Sequence, residues 1–152
     1  MRTTKTKSTT VKYTVTVNRS VDDTWQFLTE FENMPKWARG VAEIVEISPG
    51  PLAAGTTVTD VGLGLKRRWR ETFSVEELVP GQVLGLVWRG LYGTAHVRYT
   101  LEAAPQGTQL TGSTYGDYRF PFWIVLMFMS RTANRNFRAG LENTKKLCEM
   151  DG

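Results

Sequence analysis

The chain has 152 residues, of which 41% are hydrophobic and 11% aromatic, and its formal net charge is +4. This length fits one ordinary domain with a packed core. The chain has one cysteine, Cys148, which excludes an internal disulfide and fits a reduced, cytoplasmic setting. Cys148 and the single histidine, His96, are too few ligands for a transition-metal site. Because the sequence also carries no phosphate-binding loop, zinc-protease motif or nucleophile elbow, it indicates no metal and no cofactor.

The first forty residues predict a tail, a strand and two helices. Residues 1–10 are polar and are expected to form a flexible tail ahead of a single domain over residues 11–150. Apolar and polar residues alternate from Val11 to Asn18, which is typical of a half-buried strand. Ser20 can cap the helix that follows, and a second short helix is expected over residues 33–39.

The remainder predicts six more strands and one long helix. Between residues 41 and 116, short β-rich runs are separated by Gly and Pro turns, as in an antiparallel meander. Residues 121–149 contain no internal proline and predict a helix of roughly 40 Å.

The long helix is predicted to begin with the run FPFWIVLMFM, residues 120–129, which has no charged or amide side chain. The run is shorter than the roughly 20 apolar residues that a membrane span requires. We therefore expect it to be buried almost all round against the concave face of a curled, seven-stranded sheet. Because one helix cannot fill the whole volume under a curled sheet, a hydrophobic cavity is expected beneath it.

Three segments carry a resemblance to a known family: TVNRSVDDTWQFLTEFENMPKWARGV, EELVPGQVL and YTLEAAPQGTQLT. With the element order, they resemble the polyketide cyclase/dehydrase branch of the START-like, or SRPBCC, superfamily over roughly residues 11–148. The resemblance implies an α+β helix-grip (Bet v 1-like) fold, with a seven-stranded curved antiparallel sheet around a long C-terminal helix and two short helices after the first strand. It also implies a deep cavity for lipids, sterols, polyketides or other apolar molecules. It supplies no catalytic set to transfer onto this sequence.

Strand parity selects candidate cavity residues. We predict a ligand-binding set made of inward-facing aromatic residues together with a methionine and two small polar residues of the long helix. The set is Tyr13, Trp69, Trp88, Tyr99, Trp123, Met127, Ser130 and Asn134. Core packing is the default role of each aromatic residue and each methionine taken singly.

Three residues are weak candidates for acid–base chemistry: Tyr99, Asp60 and His96. Tyr99 falls on the apolar face of its strand, whereas the same parity places His96 on the convex, solvent side. Asp60 would have a raised pKa if it faced inward, but the sequence favours the alternative of a solvated carboxylate at a strand end. The cations of KRRWRETF are expected to lie on a solvated sheet face, with Arg67 or Arg70 able to pair with an acidic ligand at the cavity rim.

The sequence is compatible with three functions. The first is binding of a small hydrophobic molecule, and the second is a cyclase or dehydratase that uses one acid or base in the cavity. The third, which the sequence favours less, is attachment to a membrane surface through the apolar run. A nucleic-acid partner is not expected, and the sequence leaves open whether the chain is a monomer or a homodimer.

Overall fold

The computed structural model describes residues 6–64 and 66–150. The first half of the fold comprises β1 (Thr6–Val17), α1 (Val21–Thr29), a 3₁₀ turn (Phe31–Asn33), α2 (Met34–Trp37), β2 (Val41–Ile47) and β3 (Thr57–Gly64). The second half comprises β4 (Arg67–Val79), β5 (Val83–Gly90), β6 (Gly93–Ala104), β7 (Gly107–Arg119) and α3 (Phe122–Met150).

The strands form one antiparallel sheet in the order β1-β7-β6-β5-β4-β3-β2. This architecture confirms the predicted helix-grip fold. Its core lies on the concave face, where alternate residues of the strands meet α1, α2 and the second half of α3. The largest fully buried side chains there are Phe73, Leu28, Leu84, Leu86, Leu110 and Leu141.

The N-terminal part of the chain shows how local sequence sets the element bounds. Strand β1 begins at Thr6, which pairs with Arg119, whereas alternation alone predicts a start at Val11. Residues 1–5 of the predicted tail lie outside the described residues. As predicted, Ser20 caps α1, since its hydroxyl oxygen accepts a hydrogen bond of 3.1 Å from the Asp23 amide.

The second half of α3 holds this helix on the sheet. Helix α3 packs on β1, β7, α1 and α2. Gly112 of β7 makes the close approach possible, because a Cβ there would lie 2.8 Å from the Phe137 ring and 3.0 Å from Leu141. On the adjacent strand, the Tyr13 hydroxyl donates a hydrogen bond of 2.8 Å to Glu142.

The first half of α3 does not lie as the sequence predicts. Phe122, Val125 and Phe128 are 41%, 55% and 86% exposed, so the prediction that FPFWIVLMFM is buried almost all round is wrong. Within the described parts of the chain, no helix combines the length and hydrophobicity needed to cross a bilayer.

Aromatic side chains lie over glycines at the end of the sheet where this half-helix begins. At the same end of the sheet, a Cβ on Gly62, Gly90 or Gly116 would collide with the ring of Trp69, Tyr92 or Tyr118, at 2.8, 2.7 and 2.5 Å. These rings therefore lie over glycines of their own sheet and take up space that the apolar run was expected to fill.

Candidate functional site

A pocket of about 380 Å³ lies between the concave face of the sheet and the middle of α3. We call it the central pocket. Its wall is contributed by α2, β6, β7 and α3, through residues that include Trp37, Ala95, Val97, Tyr99, Thr114, Tyr118, Asn134 and Phe137. The volume falls within the range of small-molecule sites in proteins, and most of these side chains are apolar or aromatic.

The lining also includes polar side chains, among them Arg39, Asn134 and Asn136, and a buried aromatic pair. Trp37 and Tyr99 are 4% and 5% exposed, and their rings meet edge-to-face with centroids 6.1 Å apart. The indole N–H of Trp37 is buried and has no hydrogen-bond partner among the described residues. Burial raises the pKa of Tyr99, so its phenol stays neutral and can donate a hydrogen bond.

A second cavity, the end groove, of about 590 Å³, opens beside the central pocket. Its lining includes Trp69, Arg70, Glu71, Trp88, Tyr92 and Tyr118, and Tyr118 borders both cavities. Two contacts order this wall. The indole N–H of Trp69 donates a hydrogen bond of 3.0 Å to Glu71, and the ring of Trp88 packs 4.7 Å from that of Phe73.

Asp60 lies next to the end groove in a site that is unusual for a carboxylate. It pairs with Glu71 across β3 and β4, and its side chain is 0% exposed. Neither carboxylate oxygen has a hydrogen-bond partner among the described residues. Burial, with a smaller contribution from the Glu71 charge, raises the pKa of Asp60 to about 7. The alternative of a solvated strand-end carboxylate is therefore wrong.

The Asp60 carboxylate also acts on the wall of the end groove. The pKa of Tyr92 is raised, first by burial and then by the charges of Glu71 and Asp60. Asp60, Glu71 and Tyr92 thus form one electrostatically linked group at the open end of the concave face.

His96 lies on the convex face, where strand parity places it. Its ring stacks on Tyr115 with centroids 4.5 Å apart, and its Nδ1 lies 2.7 Å from a Glu76 carboxylate oxygen. Alternation after the buried Val75 places Glu76 on the outer surface, and a β-bulge between Val75 and Glu77 places Glu77 on that surface as well. The ring therefore packs on the convex side of β6, and residue His96 also contributes to the lining of the central pocket.

The structure separates the other predicted ligand residues into four places. Tyr99 and Asn134 line the central pocket, and Trp69 and Trp88 line the end groove. Tyr13 lies under the second half of α3, where Arg138 covers its ring at 5.5 Å. Trp123, Met127 and Ser130 lie on the first half of α3, where Met127 is 51% exposed and the exposed Ser130 hydroxyl donates to the Met127 carbonyl oxygen at 2.9 Å.

The placement of Met127 and Ser130 corrects the predicted ligand set. Helical spacing from Trp123 was expected to direct both side chains into the cavity, but both are exposed and neither lines the central pocket or the end groove. Their spacing indicates a common helix face without indicating what that face contacts.

Comparisons with known proteins agree with this architecture. A family model described as polyketide cyclase / dehydrase and lipid transport matches residues 8–149. The chain belongs to this family. No curated protein matches the sequence.

Solved structures similar to this cyclase/dehydrase-family chain share its fold at low sequence identity. The Zhui aromatase/cyclase from Streptomyces sp. R1128 is 16% identical with a TM-score of 0.80, and the match covers 94% of each chain. The di-domain aromatase/cyclase StfQ of the steffimycin biosynthetic pathway is 12% identical with a TM-score of 0.76, and the match covers 95% of this chain and 51% of that one. Ara h 8.0201 is 12% identical with a TM-score of 0.71, covering 93% and 98%.

Several residues of this cyclase/dehydrase-family site were not predicted from the sequence. Trp37, Glu71, Tyr92 and Tyr118 line the two cavities, yet none was among the predicted site residues. A signal existed for Tyr92 and Tyr118, because each lies two residues from a glycine that its ring covers. Trp37 had no comparable signal, because its position depends on how α2 packs on α3.

Proposed function

We propose that this chain binds a small hydrophobic molecule in the central pocket, with a folded polyketide or a fused-ring aromatic as the ligand class. The observation that carries the proposal is a pocket of about 380 Å³ between the sheet and α3, whose wall includes the buried aromatic pair Trp37 and Tyr99. The aromatase/cyclases with the same fold support this ligand class.

A pocket-blocking variant tests the proposal. Ala133 lines the central pocket, whereas its neighbour Thr132 is exposed and lies outside the lining. With 1,8-dihydroxyanthraquinone as the probe in calorimetric titrations, Ala133→Trp should weaken binding at least about tenfold, and Thr132→Trp should leave it within about twofold. Equal affinity of both variants and the wild type would place the probe elsewhere. Native mass spectrometry of freshly purified protein adds a search for a retained small molecule.

A second candidate function, cyclisation with loss of water, is favoured by Asp60. With a pKa of about 7, this carboxyl group is able both to accept and to return a proton near neutral pH. In an intramolecular aldol reaction, a base removes a proton from a methylene carbon between two carbonyls, and that carbon attacks a third carbonyl. The base returns its proton to the resulting alkoxide, which becomes a hydroxyl group. Removal of the second proton from the former methylene carbon then forms a carbon–carbon double bond, and the hydroxyl group takes up a proton and leaves as water. Glu71 and Tyr92 link Asp60 electrostatically to the end groove, where such a substrate would extend from the central pocket.

Asp60→Asn separates the two candidates. Incubation with a poly-β-ketone thioester, followed by mass spectrometry for loss of water, measures turnover, while the anthraquinone titration measures binding. The enzymatic function predicts turnover by the wild type that falls at least about a hundredfold in Asp60→Asn, with binding unchanged. Equal product from both proteins and from buffer alone would leave binding as the function.

A further inference from the structure

The first half of α3 forms an exposed apolar ridge with the turn between β5 and β6. We define the apolar ridge as Leu91, Phe120, Phe122, Val125, Phe128 and Met129. Phe120, Phe128 and Leu91 are 61%, 86% and 83% exposed. The turn adjoins the helix start because the Arg119 amide donates a hydrogen bond of 2.9 Å to the Tyr92 carbonyl oxygen.

Cations surround this ridge. The chain segments at this end of the sheet are residues 66–71, 89–92 and 117–131, and together they carry seven Lys or Arg side chains against two carboxylates, Glu71 and Asp117. Two carboxylates are too few to neutralise seven cations within these segments. Since the whole chain has a net charge of only +4, this end holds all of the excess positive charge.

The sheet order places ridge and cations side by side. The hairpin of β3 and β4 extends beyond the end of β5, because Arg67 to Arg70 pair with β3 and lie outside the pairing of β4 with β5. Only β5 and β6 separate β4 from β7, the strand that leads into α3. At about 4.8 Å per strand, the hairpin and the start of the ridge are roughly 15 Å apart.

We propose that this end of the molecule docks on an anionic lipid bilayer, with the apolar ridge in the headgroup and acyl boundary and the surrounding cations on lipid phosphates. A half-helix exposed on several sides, rimmed by arginines, has the composition of an interfacial membrane segment. The ten-residue apolar run is half the length that a membrane span requires.

Two other occupants fit less well. A second copy meeting the same face would bring two strongly positive ends together, because a two-fold interface pairs a surface with itself. A nucleic acid would satisfy the cations but would leave Phe120, Val125 and Phe128 exposed to water. The bilayer satisfies both the charge and the apolar surface.

Vesicle co-sedimentation of the full chain tests the proposal. The wild type should pellet with phosphatidylcholine vesicles that contain phosphatidylglycerol, and binding should fall at least about fivefold on pure phosphatidylcholine or in high salt. Val125→Glu with Phe128→Glu should lower binding at least about tenfold. Val79→Glu with Met150→Glu is the matched control, because these side chains are 39% and 68% exposed at the opposite end of the fold, and it should bind like the wild type.

The cations are tested separately. Arg67→Gln, Arg68→Gln and Arg70→Gln together should lower binding to anionic vesicles at least about tenfold. An equal number of changes among exposed lysines elsewhere, Lys12→Gln, Lys36→Gln and Lys146→Gln, should change it less than about threefold. Circular dichroism and thermal melting confirm that each variant is folded.

Three results would overturn the proposal: no association of the wild type with anionic vesicles at low salt, equal losses in ridge and control variants, or a dimer that the ridge variant dissociates while vesicles stay unbound. The anthraquinone titration is independent of all three, so failure of docking is distinguishable from failure of the central pocket.

Discussion

Asp60 combines full burial of a carboxylate with the lack of any hydrogen-bond partner among the described residues. Burying a charge without a partner costs more than the group gains from packing, so the group keeps its proton instead. The pKa of Asp60, about 7, reflects this cost of burying the charged form, and the charge of Glu71 adds to the effect of burial. A residue with this cost is more informative about function than the exposed Glu102 or Asp22.

Asp60 should make the protein less stable as the pH rises. Its pKa is about 7 in the folded state against 3.8 for the ordinary group, so between these values the folded state binds more protons than the unfolded state. The free energy of unfolding therefore falls as the pH rises from about 4 to about 7, by an amount of order 2–4 kcal/mol.

Urea unfolding across that pH window checks this prediction. Asp60→Asn should flatten the dependence and should be more stable than the wild type at pH above about 7. The exposed Glu102 provides the control Glu102→Gln, which should keep the wild-type slope. A wild-type slope equal to that of Asp60→Asn would contradict the assigned pKa.

At the scale of elements, α3 divides into two halves with different roles. The second half carries the buried side chains Leu141, Thr144 and Cys148 and packs over Gly112. The first half carries the apolar ridge and contributes exposed surface. Helix α3 is therefore held on the sheet by one end, and the space between its middle and the sheet becomes the central pocket.

Gly112→Val tests the close approach of α3 to β7. The new side chain would collide with Phe137 and Leu141, since even a Cβ would lie 2.8 and 3.0 Å from them. We expect the free energy of unfolding to fall by about 1–3 kcal/mol in chemical denaturation. Gln109→Val, at an exposed position of the same strand, should change it by less than about 0.5 kcal/mol. Equal effects of both changes would show that the helix does not pack as described.

The two halves of α3 should also differ in their contribution to stability. Leu141→Ala removes a side chain that is 1% exposed and should cost about 2–5 kcal/mol. Phe128→Ser removes one that is 86% exposed and should change stability by less than about 0.5 kcal/mol in the same urea titration. A cost of several kcal/mol for Phe128→Ser would indicate that the apolar ridge is part of the core.

The sequence was sufficient to predict the elements but not what each face contacts. Alternation from Val11 to Val17 and the cap at Ser20 are local signals, and the structure confirms both. Burial of the first half of α3 depends instead on whether the sheet beneath it is already covered, and Trp69 and Tyr118 cover it over glycines. Hydrophobicity along a helix does not report such contacts between distant strands.

The candidate site shows the same division. Parity assigned Tyr99 to the concave face, and helical spacing assigned Asn134 to the inner side of α3, and both line the central pocket. The burial of Asp60 depends on the register of β3 and β4, which pairs Asp60 with Glu71. No local sequence pattern predicts that register. The position of Trp37 in the pocket wall depends on the packing of α2 on α3, which the local sequence does not predict.

At the scale of the whole molecule, the two proposed surfaces lie at the same end. Tyr118 borders both cavities, and β7 then leads through Arg119 into the apolar ridge. Ala133, at the other border of the central pocket, follows the ridge along α3 by one helical turn. The apolar ridge and the central pocket therefore adjoin along β7 and α3, so docking and ligand binding are compatible in one orientation.

A ligand in the central pocket should stabilise the whole fold, because its wall joins α2, β6, β7 and α3. For a ligand that binds only the folded state, a concentration about a hundredfold above the dissociation constant adds about 2.7 kcal/mol. In a protein of this size that corresponds to a rise in melting temperature of roughly 5–10 °C. With 1,8-dihydroxyanthraquinone, the wild type and Thr132→Trp should show this rise and Ala133→Trp should not. An equal rise in Ala133→Trp would mean that the probe stabilises the protein from another site, and no rise in the wild type at saturating probe would mean that binding does not depend on the folded pocket.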